Sequence, residues 1–285
     1  MINGFNRIFL LVGLIMSLLL LFSCKSEEQE AREKEKRKIN NYLNNKADTT
    51  YEKDDNGLYY HIVNSGNDDI PENNDFVNIS VKNNILGNDP SQAFSDTNAY
   101  FIVGSTQFIL GINIGIKMIG EGGIIDLIIP FDLAYNAPSS DFDVYNTYHS
   151  TLELKQIIDN PEEWEMSRID NYIEQQQFDV EKNSTGFYFI EQKKGEGDSL
   201  QNGNLVAMEY VAKFLDGTVF DQNNFFQFTI GSDRVIEGLE EGVLEMNKGG
   251  EAILIIPSDL AYGDEYYQDI HPYATLVFDI KIYNQ

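Results

Sequence analysis

The sequence predicts an α+β protein made of two similar domains, each a mostly antiparallel sheet wrapped over one short helix. Three observations predict it. The chain repeats itself at a shift of 127: residues 104–136 recur inside residues 226–263, sharing Gly-Ser, then Ile109/Ile236, Gly111/Gly238 and Gly115/Gly242, then Gly-Gly, Leu-Ile-Ile-Pro and Asp-Leu-Ala-Tyr. A self-match at fixed period marks a duplication. Inside the repeat, Ile236, Leu239, Val243 and Met246 fall at helical spacing. Around it, runs such as Val77, Ile79, Val81 and Ile85 alternate with Asn78, Ser80, Lys82 and Asn84, the period of a half-buried strand.

The first segment is read as a signal rather than as fold. Arg7 precedes the apolar run 8–22, too short for a comfortable membrane span, and Leu21, Ser23 and Cys24 match a bacterial lipoprotein motif. Cys24 is the only cysteine, so no disulfide forms within the chain; cleavage before it and acylation of its thiol and amine would anchor the mature protein. Residues 25–38 are a charged run, read as a solvated tether. Its early Ser-Glu-Glu resembles acidic signals in surface-exported lipoproteins of the Bacteroidetes type.

A leader helix precedes each domain. Ile39, Tyr42 and Leu43 recur as Ile169, Tyr172 and Ile173, and the second helix starts at Asn160 as cap, Pro161 in the first turn and Glu163 three residues past the cap, with Met166 extending its apolar face. Each leads into an aromatic strand at Leu58-Tyr59-Tyr60 and Phe187-Tyr188-Phe189. In the first body, residues 107–119 alternate like a strand at Ile112, Ile114, Ile116 and Met118, but the repeat makes them a helix. Leu110 and Ile114 then lie where the second copy has Glu237 and Glu241, an apolar face that needs a cover, expected from the partner domain or another protein. In the second body, Val206, Met208, Tyr210, Ala212 and Phe214 share one strand face, with Tyr210 inward. Asp216-Gly217 turns the chain, Gln222-Asn223-Asn224 is read as a polar loop, Ser232 or Asp233 as the helix cap, and Gly249-Gly250 as its end. Leu276, Phe278, Ile280 and Ile282 form the last strand, matched by Leu152 and Leu154.

Composition sets the bounds. Two domains of ordinary size fit in 285 residues, and 42% hydrophobic with 12% aromatic content supplies two cores. A formal charge of −26 repels polyphosphate backbones, which argues against nucleic acid as a partner. His61, His149 and His271 are isolated and show no metal-ligand spacing, and no nucleophile–base constellation stands out.

The stretches VAMEYVAKFLDGTVFD, FQFTIG, VIEGLEEGV, LAYG and ATLVFDI, spread in order over residues 206–280, resemble an FKBP-type peptidyl-prolyl cis-trans isomerase. The upstream copy resembles the same fold. The resemblance implies two FKBP-like domains: residues 1–23 a lipoprotein signal, 24–50 tether and leader helix, 51–158 a degenerate domain, 159–185 leader helix and linker, 186–285 the isomerase domain. It implies a pocket in which Tyr210, Phe220, Asp221 and Tyr262 carry catalysis, with Phe226, Phe228, Val235, Ile236, Leu239, Ile270 and Phe278 binding the substrate. Leu239 would occupy the floor, often tryptophan in the family. Tyr262 would donate a hydrogen bond to the substrate carbonyl, and Asp221 would orient Tyr210 or polarise the amide. No cofactor or metal is implied. The partners are proline-containing polypeptide clients and the membrane, reached through the lipid on Cys24. The first copy has Val81 at the Tyr210 position and Ala99 at the Phe226 position, while Phe94 and Asp96 only echo Phe220-Asp221; Tyr135 and Ile109 remain. A domain that keeps the fold without turnover follows. The expected function is isomerisation assisting the folding of exported proteins from the cell envelope; the alternative is a non-catalytic module that holds clients. The layout is similar to lipoproteins of the family in gliding bacteria, which serve motility or secretion machinery.

Overall fold

The computed structural model describes residues 27–46, 49–88, 93–134 and 145–284. Cys24 and the signal segment, and Tyr135 of the first copy, lie outside these residues. The chain divides into two compact units, one of Met1–Pro71, Ile79–Ala99 and Phe108–Lys155, the other of Glu72–Asn78, Tyr100–Gln107 and Gln156–Gln285.

The first half runs α1 (Glu27–Asn45), β1 (Glu52–Lys53), β2 (Tyr59–Asn64), β3 (Phe76–Ile85), β4 (Phe94–Ile102), α2 (Leu110–Ile116), β5 (Ile124–Ile129), a 3-10 turn at Phe131–Leu133 and β6 (Tyr148–Ile158). The second runs α3 (Pro161–Gln176), β7 (Tyr188–Lys193), β8 (Leu205–Phe214), β9 (Val219–Thr229), α4 (Glu237–Leu244), β10 (Glu251–Ile256), a 3-10 turn at Ser258–Leu260 and β11 (Leu276–Ile282). The sheet orders are β1-β2-β5-β6-β3-β4 and β7-β10-β11-β8-β9. Apart from the added β1, they coincide strand for strand, as the duplication requires.

Strand β10 explains the layering. After Glu251, its residues Ala252–Ile256 are apolar at every position, not at alternate ones, so both faces of the sheet must be covered. Ala252, Leu254 and Ile256 point into the main core with Met208, Val243, Leu276 and Ile280. Ile255 and Val277 point the other way, onto Ile169 and Tyr172 of α3. The first half repeats this: Ile128 turns away from Leu127 and Ile129 to meet Ile39 of α1, with Tyr42 and Leu43 alongside. The leader helix is therefore the outer cover of each sheet, and the short helix is its inner cover.

The shared glycines let the inner helix lie close. A Cβ at Gly242 would run into the Leu254 side chain, and one at Gly238 into Ile256; Gly115 and Gly111 stand in the same relation to Leu127 and Ile129. Glycine is thus held at two places per helix by proximity to the strand, against its helix propensity.

Several expectations are corrected. The run read as a tether is helical from Glu27 onward, because Arg32 bonds Asp132 at 2.5 Å and lies over the Phe131 ring, and Glu35 binds the body as well. The polar segment 222–224 is part of strand β9: Gln222 and Asn223 pair with Val211 and Tyr210 of β8, and a register shift follows before Phe226 pairs with Met208. Helix α4 is capped by neither Ser232 nor Asp233: its first residue follows Ile236, and Glu240 instead accepts the Gly231 and Ser232 amides. It ends at Leu244, ahead of Gly249-Gly250. The alternation in residues 107–119 does give way to a helix, α2, with Ile112 and Ile116 buried, Leu110 49% exposed and Ile114 half-buried. Asn160 caps α3 as read, accepting the Glu163 amide at 3.2 Å.

His149 is not isolated. Asp126 accepts from Thr151 Oγ1 at 2.5 Å and Tyr51 Oη at 2.9 Å and lies 3.2 Å from His149 Nε2, which also meets Tyr42 Oη at 3.3 Å. Burial alone would raise the Asp126 carboxyl, but these partners outweigh it and hold it down at about 2.

Two predictions follow from this packing. Replacing Gly242 by Ala should destabilise the second half by about 1–3 kcal/mol through overpacking, despite the gain of about 1 kcal/mol in helix propensity; urea titration reads it, and a net gain in stability would mean that helix and strand are not in close contact. Because the folded Asp126 carboxyl lies below its unfolded value of about 4, its contribution is present above that pH and is lost as pH falls towards 2. Asp126→Asn should flatten this part of the acid-unfolding curve, measured by circular dichroism from pH 5 down.

Candidate active site

Strand β8 places Tyr210 on the inner face among Met208 and Ala212, and the residue is only 8% exposed. Ala212 pairs with Asp221 across the hairpin and Tyr210 with Asn223, which sets Asp221 beside Tyr210 along the strands. The Tyr210 hydroxyl donates to Asp221 Oδ2 at 2.6 Å, and the other carboxylate oxygen accepts the Gln222 amide at 2.8 Å. Burial, then the bond to Asp221, pushes the Tyr210 hydroxyl well above the usual tyrosine range, so it stays a donor at any physiological pH.

Rings close around this pair. Phe226 meets Tyr210 edge-on with centroids 5.7 Å apart, Phe278 lies 5.9 Å from Tyr210, and Phe220 meets Phe278 edge-on at 6.4 Å. Phe228 stacks behind Phe226 at 5.8 Å. Edge-on and offset pairs of this kind favour fixed ring angles, so the walls are held rather than loosely collapsed. Leu239, the first full turn of α4, and Ile270, from the loop before β11, are buried in the same cluster; Val235, Ile236 and Tyr262 are half-buried against it. Every residue expected in the pocket is therefore in one cluster or, as Asp221, bonded to it. Tyr210, Phe220 and Tyr262 are not scattered.

Tyr262 sits at the end of the 3-10 turn, stacked flat on Tyr267 at 4.4 Å. Burial and the nearby Tyr267 and Asp221 raise its hydroxyl too. Among the described residues that hydroxyl has no hydrogen-bond partner, which leaves it available to a ligand. The cluster thus combines packed aromatic and aliphatic side chains, one tyrosine fixed on a carboxylate and one tyrosine free to donate. Nothing in it resembles a nucleophile or a metal cage, and no group of three or more metal-ligating side chains occurs among the described residues.

Sequence reasoning missed four neighbours. Phe214, placed by the sequence on the Tyr210 strand face but not in the site, packs 4.8 Å from Phe220, and His271 stacks on Phe214 at 5.9 Å. Tyr267 lies in a loop with no periodicity to flag it. The buried carboxylate Glu165 sits behind the Tyr262 turn; its signal was Glu35, at the matching place in the first leader helix.

The first half does not rebuild the site. Val81 and Ala99 are buried where Tyr210 and Phe226 stand in the second, Phe94 is 61% exposed, and Asp96 accepts the Asn98 amide instead of a tyrosine. Ile109 is buried as expected.

The chain is 42% identical over 100 residues to FK506-binding protein 4 of Neurospora crassa, covering 34% of this chain and 21% of that protein. It is 42% identical over 107 residues to FK506-binding protein 4 of Rhizopus delemar, covering 36% and 28%. The chain thus spans about a quarter of the length of these curated relatives. The crystal structure of FkpA from Escherichia coli is similar over 44% of this chain and 62% of that one, at 28% identity and a TM-score of 0.38. The family model for FKBP-type peptidyl-prolyl cis-trans isomerase matches at residues 67–188 and again at 197–283. Both halves of the duplication are accounted for by that match, and the chain belongs to the FKBP-type peptidyl-prolyl cis-trans isomerase family.

Proposed function

We propose that the protein is a peptidyl-prolyl cis-trans isomerase whose second half carries catalysis, assisting the folding of exported proteins. Rotation about a peptide bond faces a barrier of about 18–20 kcal/mol, because amide resonance must be broken. For a bond before proline the two planar ends differ little in energy yet exchange over tens to hundreds of seconds. A catalyst makes and breaks no bonds. It binds the twisted amide more tightly than either planar form, in a place that excludes water. The observation that carries this reading is the Tyr210–Asp221 pair at 2.6 Å on the wall of a ring-lined apolar cluster, with Tyr262 presenting its hydroxyl nearby. In that arrangement Phe220, Phe226 and Phe278 would hold the proline ring over Leu239. Tyr262 would donate to the substrate carbonyl. Asp221, already committed to Tyr210 and the Gln222 amide, would act by orienting Tyr210.

The lipoprotein reading of Cys24 supports export and anchoring to the bacterial envelope. The first half would keep a structural or client-binding role. A second reading, a non-catalytic client holder, draws on the exposed Leu110 and Phe94 of the first half.

Three variants of the soluble chain from residue 25 onward test the enzyme reading in a proline-isomerisation assay. Tyr262→Phe removes one hydrogen bond and should lower kcat/KM about 2–10-fold. Phe220→Ala opens a wall to water and should lower it about tenfold or more. Asp221→Asn should fall between them. A wild-type chain no faster than buffer removes the enzyme in favour of the client holder, and undiminished turnover in Phe220→Ala removes this site. For anchoring, Cys24→Ser should move the protein from the membrane to the soluble fraction and abolish an acyl mass on the amino-terminal peptide; retention in the membrane would refute it.

A further inference from the structure

Glu165 is a carboxylate on the outer-cover helix α3, and it is only 5% exposed. A buried carboxylate is strongly disfavoured unless its oxygens are satisfied. Here they are. Oε1 accepts the Ser258 amide at 2.8 Å and Thr275 Oγ1 at 2.6 Å, and Oε2 accepts Ser258 Oγ at 2.6 Å. Burial still pushes the carboxyl up, against the pull of these three donors.

Both partners sit at the ends of one loop. Ser258 opens the turn that carries Tyr262: its carbonyl accepts the Ala261 amide at 2.9 Å and the Gly263 amide at 2.8 Å, the residues on either side of the tyrosine. Thr275 ends the closing loop and leads into β11, which carries Phe278. The loop between them is pinched where the Tyr273 amide donates to the Gly263 carbonyl at 2.8 Å. It supplies Ile270 to the cluster and Tyr267 to the face of Tyr262. One side chain from outside the domain body thus ties down both legs of the loop that closes the site.

We infer that Glu165 is a positioning residue of the isomerase: through Ser258 and Thr275 it sets the seat of Tyr262 and the closing loop, and so the rate and the choice of residue before proline. This rests on the reading that the second half is catalytic. The first half contains its own control. Glu35 of α1 accepts the Phe131 amide at 2.8 Å and Thr147 Oγ1 at 2.9 Å, at the matching turn and the matching strand start, in the half where the Tyr210 and Phe226 positions are Val81 and Ala99.

The test uses the chain from residue 25 to 285 carrying Glu165→Ala, Glu165→Gln or Glu35→Ala. Each is assayed where it is fully folded, on peptides that differ in the residue before proline. Glu165→Ala should lower kcat/KM by about tenfold to a hundredfold, as small misplacements of catalytic groups do. It should change the order of preference among the peptides and speed hydrogen exchange of the Ser258, Ala261 and Gly263 amides. Glu165→Gln, which keeps one acceptor, should recover part of the rate and stands in should the Ala variant not fold. Glu35→Ala breaks the same kind of latch and should leave turnover within about twofold, as distant sites do. Folded Glu165 variants with wild-type rate and preference, beside an active wild type, overturn the inference alone. A wild type without activity overturns the catalytic reading and this inference with it, while amide exchange still reports whether the latch holds the turn.

Discussion

Each sheet in this chain has an interior strand with buried apolar side chains on both faces, interrupted in the first copy only by Asp126, and it cannot be left bare on either. The inner side is covered by a helix of seven or eight residues, brought close by glycines at Gly111 and Gly115 or at Gly238 and Gly242. The outer side is covered by a longer helix that precedes the body in sequence. From this constraint the rest follows. The inner helix lifts Leu239 into the ring cluster, and the outer helix becomes an integral wall that can also reach, through a single carboxylate, to the turn behind the site.

The two copies divide their polar chemistry differently on the same frame. In the second, the inner face holds Tyr210 against Asp221, and the outer face carries a partly exposed pair, Lys213–Asp279 at 2.7 Å. In the first, the inner positions are Val81 and Ala99, and the polar cluster is on the outer side, where Asp126 gathers Tyr51, His149 and Thr151. What both retain is the leader-helix carboxylate on the turn and the strand start. Loss of the ring pocket with retention of the cover and latch is what duplication followed by specialisation of one half would leave.

Isomerisation suits such a frame because the reaction requires shape and dryness more than reactive groups. Burial raises both tyrosines, so they remain donors, and edge-on ring contacts hold Phe226 on Tyr210 and Phe220 on Phe278.

The sequence by itself determined the duplication and most of the strand and helix order, while the residues of the ring cluster were legible only through the resemblance to a known family. Repeated apolar spacing and repeated glycines constrain local structure and facing directions directly. The overruling of the strand-like alternation at Ile112–Ile116 was legible too, since the second copy carried the clearer helical pattern. Tertiary structure alone decided that Gln222 and Asn223 pair as strand, that neither Ser232 nor Asp233 caps the inner helix while Glu240 accepts the Gly231 and Ser232 amides, and that the charged run from Glu27 onward is helix with a docking face. It also reversed the alignment's expectation that the first copy's closing loop, residues 136–149, is about three residues longer: residues 130–147 join β5 to β6 and residues 257–275 join β10 to β11, so the second loop is the longer by one residue. These outcomes depend on which backbone amides and carboxylates meet across long separations, such as Glu165 with Ser258 and Thr275. A one-dimensional pattern records which residues are polar; only the folded chain records which of them are buried together and must satisfy one another.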